Sequence, residues 1–389
     1  MDVITENKTL PKLRFMQFTD ELSKNKLSEF SDKISDGIHS TPKYNNEGNY
    51  FFVNGNNLIR GKIIISKSTK KVDEIEFEKH KRLLNNRTIL LSINGTIGNI
   101  AFYNNEPIIL GKSACYINLN ESIKKDFIFQ YIQSDIISKY FKSQLTGSTI
   151  MNLSLRTIKD TPLKLPSLPE QQKIASFLSA VDKKLQQLTK KKELLSAYKK
   201  GVMQKIFSQE LRFKDDNGNN YPDWEEKKLG ELCDITTGKS NREDSSLDGV
   251  YTFFDRSEDI RTSSIYLFDG EAVIVAGEGS SFPPKYFKGK FDLHQRTYAI
   301  MGFKNLFGRY LFYYLHQYKN YFVRYAVGST VKSLRLPIFN KMNIRLPSLE
   351  EQKKIANFLS SLDSKIELVS TQIENTKAFK KGLLQQMFV

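Results

Sequence analysis

Apolar residues recur at every seventh position along two stretches of the chain: Ile174, Val181, Leu188, Leu195 and Val202 in the first, and Ile355, Leu362, Val369, Thr376 and Leu383 in the second. A sustained seven-residue spacing predicts two long helices that meet along a coiled-coil seam. Phe177 and Tyr198, with Phe358 and Phe379 in the second stretch, are read as supporting seam positions. Lys184, Lys191, Lys365 and Gln372 are read as interruptions that favour a helix pair over a deep bundle. Ser167 and Ser348 stand before the stretches, each followed three residues later by a glutamate, Glu170 and Glu351. That is capping-box spacing, which satisfies first-turn N–H groups and marks a helix start. Pro169 is tolerated so close to the start. From about residue 169 to 208 such a helix would be roughly 60 Å long at 1.5 Å per residue.

Elsewhere the period changes. Short β-prone runs bounded by turn residues, at 50–53, 62–65, 88–93 and 108–110, predict strands, and 272–275 and 297–300 answer them later in the chain. Each set passes into an aromatic amphipathic stretch, about 123–143 and 306–325, read as one helix apiece. Each block therefore reads as α+β with a strongly curved sheet.

The two helical stretches are one segment repeated. Leu165-Pro166-Ser167-Leu168 and the following Gln171-Gln172-Lys173-Ile174-Ala175 return as Leu346-Pro347-Ser348-Leu349 and Gln352-Lys353-Lys354-Ile355-Ala356, and the match runs without a gap to Phe207 and Phe388. Lys199-Lys200-Gly201 recurs as Lys380-Lys381-Gly382, while Gly147-Ser148-Thr149 and Gly328-Ser329-Thr330 lie at equal distances before the two helices. Fainter likenesses join Leu13-Arg14-Phe15 to Leu211-Arg212-Phe213, and residues 127–132 to 310–315. A repeat of this length decides the architecture. The expected fold class is α+β, with two similar α/β domains separated by two long antiparallel coiled-coil helices in a pseudo-two-fold internal duplication. Antiparallel packing follows because the second domain leaves the end of one helix and enters the start of the next.

Composition narrows the choice of partner. Over 389 residues, 59 Lys+Arg stand against 43 Asp+Glu, giving a net charge of +16 and a pI near 9.4. Such a field attracts nucleic acid or an acidic membrane surface. No apolar run approaches the ~18 residues of a spanning helix, and residues 1–10 lack a signal-peptide pattern, so a cytoplasmic protein with no membrane role is expected. Cys115 and Cys233 have no His or Cys at ligand spacing, so no metal site is expected and a reducing compartment fits.

Candidate polyanion contacts gather at glycine-rich turns that end the predicted strands. In the first block these are Asn94, Gly95 and Thr96, with Lys43, Tyr44, Lys112, Ser113, Ser148, Thr149, Asn152 and Arg156 as companions. In the second they are Ser280 and Ser281, with Lys239, Arg242, Lys285, Gln295, Arg296, Ser329, Thr330, Lys332 and Arg335. Small residues let a backbone approach phosphates or base edges. The same glycines serve equally as plain hairpin turns, and each basic residue as a solvated surface charge.

No catalytic constellation emerges. Gly111-Lys112-Ser113 and Gly238-Lys239-Ser240 lack the glycine that a phosphate loop needs five residues earlier, where Glu106 and Cys233 stand. Pro222-Asp223-Trp224-Glu225-Glu226-Lys227 holds its acids in one run, whereas metal-dependent cleavage needs carboxylates converging from separate strands. Phe282-Pro283-Pro284-Lys285 lacks the polar first residue of an adenine methyltransferase motif, and His39, His80, His294 and His316 have no partner at motif spacing. The chain is expected to be no enzyme and to need no cofactor of its own.

The doubled Leu-Pro-Ser-Leu-x-Glu-Gln-x-Lys-Ile-Ala-x-Phe-Leu segment, each copy following a Gly-Ser-Thr loop, resembles the specificity subunits of type I restriction–modification systems along essentially the whole chain. The resemblance implies two target-recognition domains, each reading one half of a bipartite, asymmetric DNA site, and two conserved helices that set the unread spacer. It divides the chain into an N-terminal segment (1–18), a first recognition domain (19–164), a central helix (165–209), a linker (210–221), a second recognition domain (222–345) and a C-terminal helix (346–389). It also implies double-stranded DNA, two methyltransferase subunits and two restriction–translocase subunits as partners in bacterial defence. Adenine-N6 methylation and DNA cleavage, with S-adenosylmethionine, ATP and Mg²⁺, would belong to those partners. Under the resemblance Asn94-Gly95-Thr96, Gly147-Ser148-Thr149 and Gly328-Ser329-Thr330 match DNA-side loops. Gly111-Lys112-Ser113 aligns with His294-Gln295-Arg296, so the two readouts should differ. The competing reading is a coiled-coil adaptor whose domains bind protein, which leaves the +16 charge without a purpose.

Overall fold

The computed structural model describes residues 10–147, 151–246, 248–257 and 259–389. The chain forms two compact units, Met1–Leu188 with Gln372–Val389, and Thr189–Thr371. Each contains one sheet region, one half of each long helix, and its own core.

In the first unit the principal elements are β1 (Ser23–Lys26), β2 (Ser31–Asp36), β3 (Tyr50–Val53), β4 (Thr88–Ser92), β5 (Ile100–Phe102), β6 (Ile108–Leu110), β7 (Ala114–Leu119), α1 (Lys125–Ile132), α2 (Asp135–Ser143), β8 (Pro162–Leu165) and the start of α3 (Leu168–Phe207). A four-stranded antiparallel sheet runs β2-β7-β4-β5, and β3 pairs in parallel with β6 in a smaller sheet. β4 and β7 are buried along their whole lengths, which is why they read as continuous apolar runs without alternation. Asn105, at φ 64°, turns the chain between β5 and β6.

The second unit repeats this order with β9 (Glu225–Lys228), β10 (Asp234–Thr237), β11 (Tyr251–Phe254), β12 (Phe268–Ala276), β13 (Lys285–Leu293), β14 (Thr297–Met301), α4 (Gly308–Gln317), α5 (Asn320–Tyr325), β15 (Asn343–Leu346) and α6 (Leu349–Met387). Here β13 is one unbroken strand. It pairs with β12 along most of its length and with β11, in parallel, at its end, so a single seven-stranded sheet replaces the two sheets of the first unit. Gly270 and Gly289 face each other across β12 and β13 at φ 138° and 134°, values that favour glycine and let the long ribbon bend.

The aromatic stretches differ from expectation, since each forms two helices. Ser134 ends α1 and its hydroxyl accepts the Ile137 N–H to cap α2, while α4 and α5 are split at 318–319. The predicted strand at 62–65 is shorter, Lys62–Ile63.

The long helices form as their seven-residue pattern predicts. In the first unit Ile174, Ala175 and Leu178 share a core with Leu383, Leu384 and Met387; in the second Ile206 and Phe207 share one with Ile355, Ala356 and Leu359. Within each unit the start of one helix thus meets the end of the other, an antiparallel pair. Ile174, Leu188, Ile355, Leu362, Val369 and Leu383 are buried, and Val181, Leu195 and Val202 half-buried. The supporting stripe is Leu178 and Leu359, not the aromatic positions. Tyr198 and Phe379 are more than half exposed, and Phe177 and Phe358 lie outside the seam against Phe15 and Phe213.

The capping boxes form only in part. Glu351 N–H donates to Ser348 Oγ at 3.3 Å, but the carboxylates of Glu170 and Glu351 turn to Arg14 and Arg212 instead of back to the cap. A charged, fork-shaped donor binds a carboxylate more strongly than a single backbone N–H does.

Candidate nucleic-acid interface

The side chains that mount each sheet on its long helix are chemically paired between the units. Gln171 Oε1 accepts the Lys124 N–H at 3.1 Å and its Nε2 donates to the Pro166 carbonyl at 3.0 Å; Gln352 makes the same two bonds to Phe307 N and the Pro347 carbonyl, at 2.7 and 2.9 Å. The Tyr131 hydroxyl accepts from Lys164 N and the Tyr314 hydroxyl from Arg345 N. Phe388 packs on Phe127 and Tyr131 as Phe207 packs on Tyr310 and Tyr314. Asp182 joins Lys380 to Gln130 Nε2, and Asp363 joins Lys199 to the Tyr313 hydroxyl. Both buried glutamines use their amides at both ends, so each mount is rigid and presents its loops in the same frame.

Those loops form one edge in each unit. In the first, Thr146 and Asn152 exchange backbone hydrogen bonds at 3.1 and 2.9 Å, and Gly95 N–H donates to the Met151 carbonyl at 3.0 Å. In the second, Val327 and Ser333 exchange bonds at 2.9 and 2.7 Å, and Glu278–Gly279 pairs with Lys332–Ser333. In each unit a glycine turn thus lies against a backbone-bonded segment just before the next short helix. Gly147 and Gly328 hold φ at 99° and 104°, in the region that favours glycine.

Register fixes which residues correspond. Ala114 lies opposite Ser92 and Thr297 opposite Ala276; Val53 lies opposite Leu110 and Phe254 opposite Leu293. Gly111-Lys112-Ser113 therefore takes the place of His294-Gln295-Arg296, as the sequences align, and Asn94-Gly95 takes the place of Glu278-Gly279.

The predicted contact residues divide by what their side chains already hold. Ser148 and Thr149 lie outside the described residues. Asn94 bridges to Asn152, and Gly95 and Thr96 are exposed beside them. Lys112 is exposed, but the Ser113 hydroxyl accepts from Gly55 N–H at 2.9 Å and donates to Asn54 Oδ1 at 3.0 Å, so it shapes the loop from within. Tyr44 faces a cleft of about 330 Å³ with Phe52, Asn54 and Lys70; Lys43 beside it is exposed. Arg156 projects into solvent, 3.7 Å from Asp160.

In the second unit Ser280, Ser281 and Lys285 line a cleft of about 230 Å³ with Asp255 and Arg256. The amines of Lys285 and Lys332 donate to the Ser257 and Val323 carbonyls. Gln295 Nε2 donates to Asn241 Oδ1 at 2.6 Å, between the exposed Lys239 and Arg242. Ser329 and Thr330 stand exposed on the hairpin, and Arg335 is exposed where the next short helix begins. Arg296 Nη1 reaches both oxygens of Glu278, at 3.0 and 3.1 Å. Burial, reinforced by the charges of Arg296 and Arg256 and opposed by Asp255, lowers the pKa of the neighbouring His294, whose Nδ1 accepts the Arg296 N–H.

Two residues of this group escaped the sequence reading, Arg256 and Glu278. Arg256 Nη1 lies 3.8 Å from Glu278 Oε2. Glu278 lies inside the glycine-rich turn 276–281, where its equivalence to Asn94 could have marked it, whereas Arg256 follows a strand with no turn motif. Among the described residues no three His, Cys, Asp or Glu side chains group as a metal site, and no helix is long and apolar enough to cross a membrane.

The chain is similar to proteins of one kind. The family described as type I restriction modification DNA specificity domain matches residues 20–196 and again 221–377. The MjaVIII type I restriction enzyme specificity subunit of Methanocaldococcus jannaschii is 26% identical over 335 residues, 78% of each chain. The EcoDI specificity subunit of Escherichia coli is 32% identical over 166 residues, 42% of this chain and 37% of that one. The crystal structure of the Mycoplasma genitalium S subunit superposes with a TM-score of 0.66 at 18% identity, covering 98% of this chain and 99% of that one. A chain from a type I restriction–modification complex gives 0.58 at 17%, covering 94% and 97%. With both halves matched and the same duplicated fold, the chain belongs to the type I restriction–modification DNA specificity family.

Proposed function

We propose that this chain is the sequence-reading subunit of a type I restriction–modification complex, in which each unit reads one half of a bipartite, asymmetric DNA site. The observation that carries the reading is the glycine-turn edge, built twice on chemically paired mounts and furnished with different side chains each time. An unvarying frame with diverging contacts is what two independent readers of unlike half-sites require. The net charge of +16 supplies the sequence-independent attraction to phosphates.

The chain itself catalyses nothing in this reading. Two methyltransferase subunits would dock on the long helices, where Leu194, Tyr198, Leu368 and Phe379 are exposed. They would methylate adenine with S-adenosylmethionine, and two restriction–translocase subunits would use ATP and Mg²⁺ in the cytoplasm. The recognition domains would span 19–164 and 222–345, with the helices between them setting the spacer.

Exchanging residues 222–345 for another such domain, in the chain co-produced with its methyltransferase partner, tests the proposal. Mapping methylated adenines should show one half of the site changed and the other kept. A change in both halves would refute independent reading. Binding that ignores salt would favour a protein-binding adaptor, since a phosphate-contacting subunit loses affinity steeply as salt rises.

A further inference from the structure

Three loop positions meet at one point of the DNA-side edge, and their chemistry is opposite in the two units. In the first they are Gly55, Asn94 and Ser113, all uncharged, with Ser113 closed onto the Gly55 N–H. By the registers given above, the second unit places Arg256, Glu278 and Arg296 there. Glu278, only 18% exposed, holds two guanidiniums, Arg296 at 3.0 Å and Arg256 at 3.8 Å. Both arginine side chains remain more than half exposed.

A carboxylate at this edge repels phosphate, so it does not serve backbone attraction. What it does is fix a planar donor. Glu278 engages Arg296 through Nη1 alone, and Nε and Nη2 of Arg296 have no partner among the described residues. Those two nitrogens form the rigid fork that matches the O6 and N7 acceptors of guanine in the major groove. With its oxygens already taken by two arginines, Glu278 is not left to accept from cytosine.

Resting on the DNA-reading function proposed above, we infer that the second unit selects a guanine in its half-site through Arg296, with Glu278 as the positioning residue that aims it. The first unit, uncharged at the same place, makes no such choice there.

The test uses the full chain co-produced with its methyltransferase partner in a host without other adenine methylation, with methylated sites mapped across the genome. The wild-type motif should carry a G·C pair in one half. R296K, which keeps the charge but loses the fork, should lower discrimination at that one position by about 10- to 100-fold. E278Q should relax the same position to a smaller degree, and the other half should stay unchanged in both variants. An unchanged motif in R296K would overturn the inference. So would R296A weakening methylation equally at all sequences and lowering the salt slope of binding by about one, the mark of a phosphate contact. A wild-type complex that methylates without any motif would overturn the DNA-reading function itself.

Discussion

Arg14 grips Glu170 through paired hydrogen bonds, Nε to Oε1 and Nη2 to Oε2, both 2.7 Å, and so ties the segment before the first sheet to the first turn of α3. Arg212 does the same to Glu351, at 3.3 and 2.9 Å, with Trp224 Nε1 donating as a third partner at 3.0 Å. Both glutamates are almost wholly buried, so their charge is stable only while these donors surround it. E351A leaves Arg212 only the Tyr221 and Pro222 carbonyls and Asp223, removes the acceptor of the Trp224 N–H, and should destabilise the second unit by about 2 kcal/mol. Urea unfolding followed by fluorescence of Trp224, the sole tryptophan, measures this; an unshifted midpoint would mean the pair carries no net stability.

How much of this was legible in the sequence follows from distance along the chain. The heptads at Ile174 and Ile355 and the repeat that contains them are local patterns, and they gave the helices and their antiparallel pairing. The likeness of Arg14-Phe15 to Arg212-Phe213 was visible too, but its meaning was not, because Glu170 lies 156 residues from Arg14. Glu170 and Glu351 stand at capping positions, so local rules assigned them to the helix start when a distant arginine outcompetes it. Similarly, Ser134 looks like one polar residue in an aromatic helix until its hydroxyl is found capping a new one. At the edge proposed to meet DNA, glycine turns announced the loops, but nothing local distinguishes Ser113, whose hydroxyl bonds Gly55 and Asn54, from the exposed Lys112.

The Asp363 cluster can be dissected without touching the loops. Tyr313 donates its hydroxyl to Asp363 Oδ2 at 2.6 Å, while Lys199 takes the other oxygen. Burial together with this carboxylate drives the Tyr313 pKa far upward, so the hydroxyl stays a donor throughout the accessible pH range. Y313F should cost about 1 kcal/mol, and K199M, acting on a partly exposed pair, up to about 1 kcal/mol. A double-mutant cycle on Tyr313 and Lys199 should show coupling through the shared aspartate; strict additivity would argue that they act separately.

The Gly328 hairpin allows the proposed reading surface to be damaged while the fold is kept. A Cβ on Gly328 would lie 2.4 Å from the Val331 carbonyl oxygen, at a φ of 104° that non-glycine residues rarely adopt. G328A should therefore distort the exposed hairpin and not the core beneath it. Methylation of sites bearing the second half should fall at least about 10-fold, while the unfolding midpoint moves by less than about 1 kcal/mol. Normal methylation by G328A would show that the hairpin does not meet DNA.

Acid should weaken the second unit through His316. This side chain on α4 packs edge-on to Phe312 at 5.4 Å, and its pKa is lowered first by burial and then by Lys199 and Lys319, against a smaller opposing pull from Asp363. The unfolded chain holds its imidazole proton up to an ordinary value of about 6.5, whereas the folded chain releases it at lower pH. Between the two values the unfolded state binds more protons, so the unfolding free energy declines as pH falls through that window and is fully present above it. H316F removes the titrating group and keeps an aromatic ring against Phe312, so it should flatten the decline as pH falls below about 6.5. His294, also lowered by burial, leaves a residual slope in the variant. Urea midpoints measured across this range decide the point: equal slopes in wild type and H316F would place the proton uptake elsewhere.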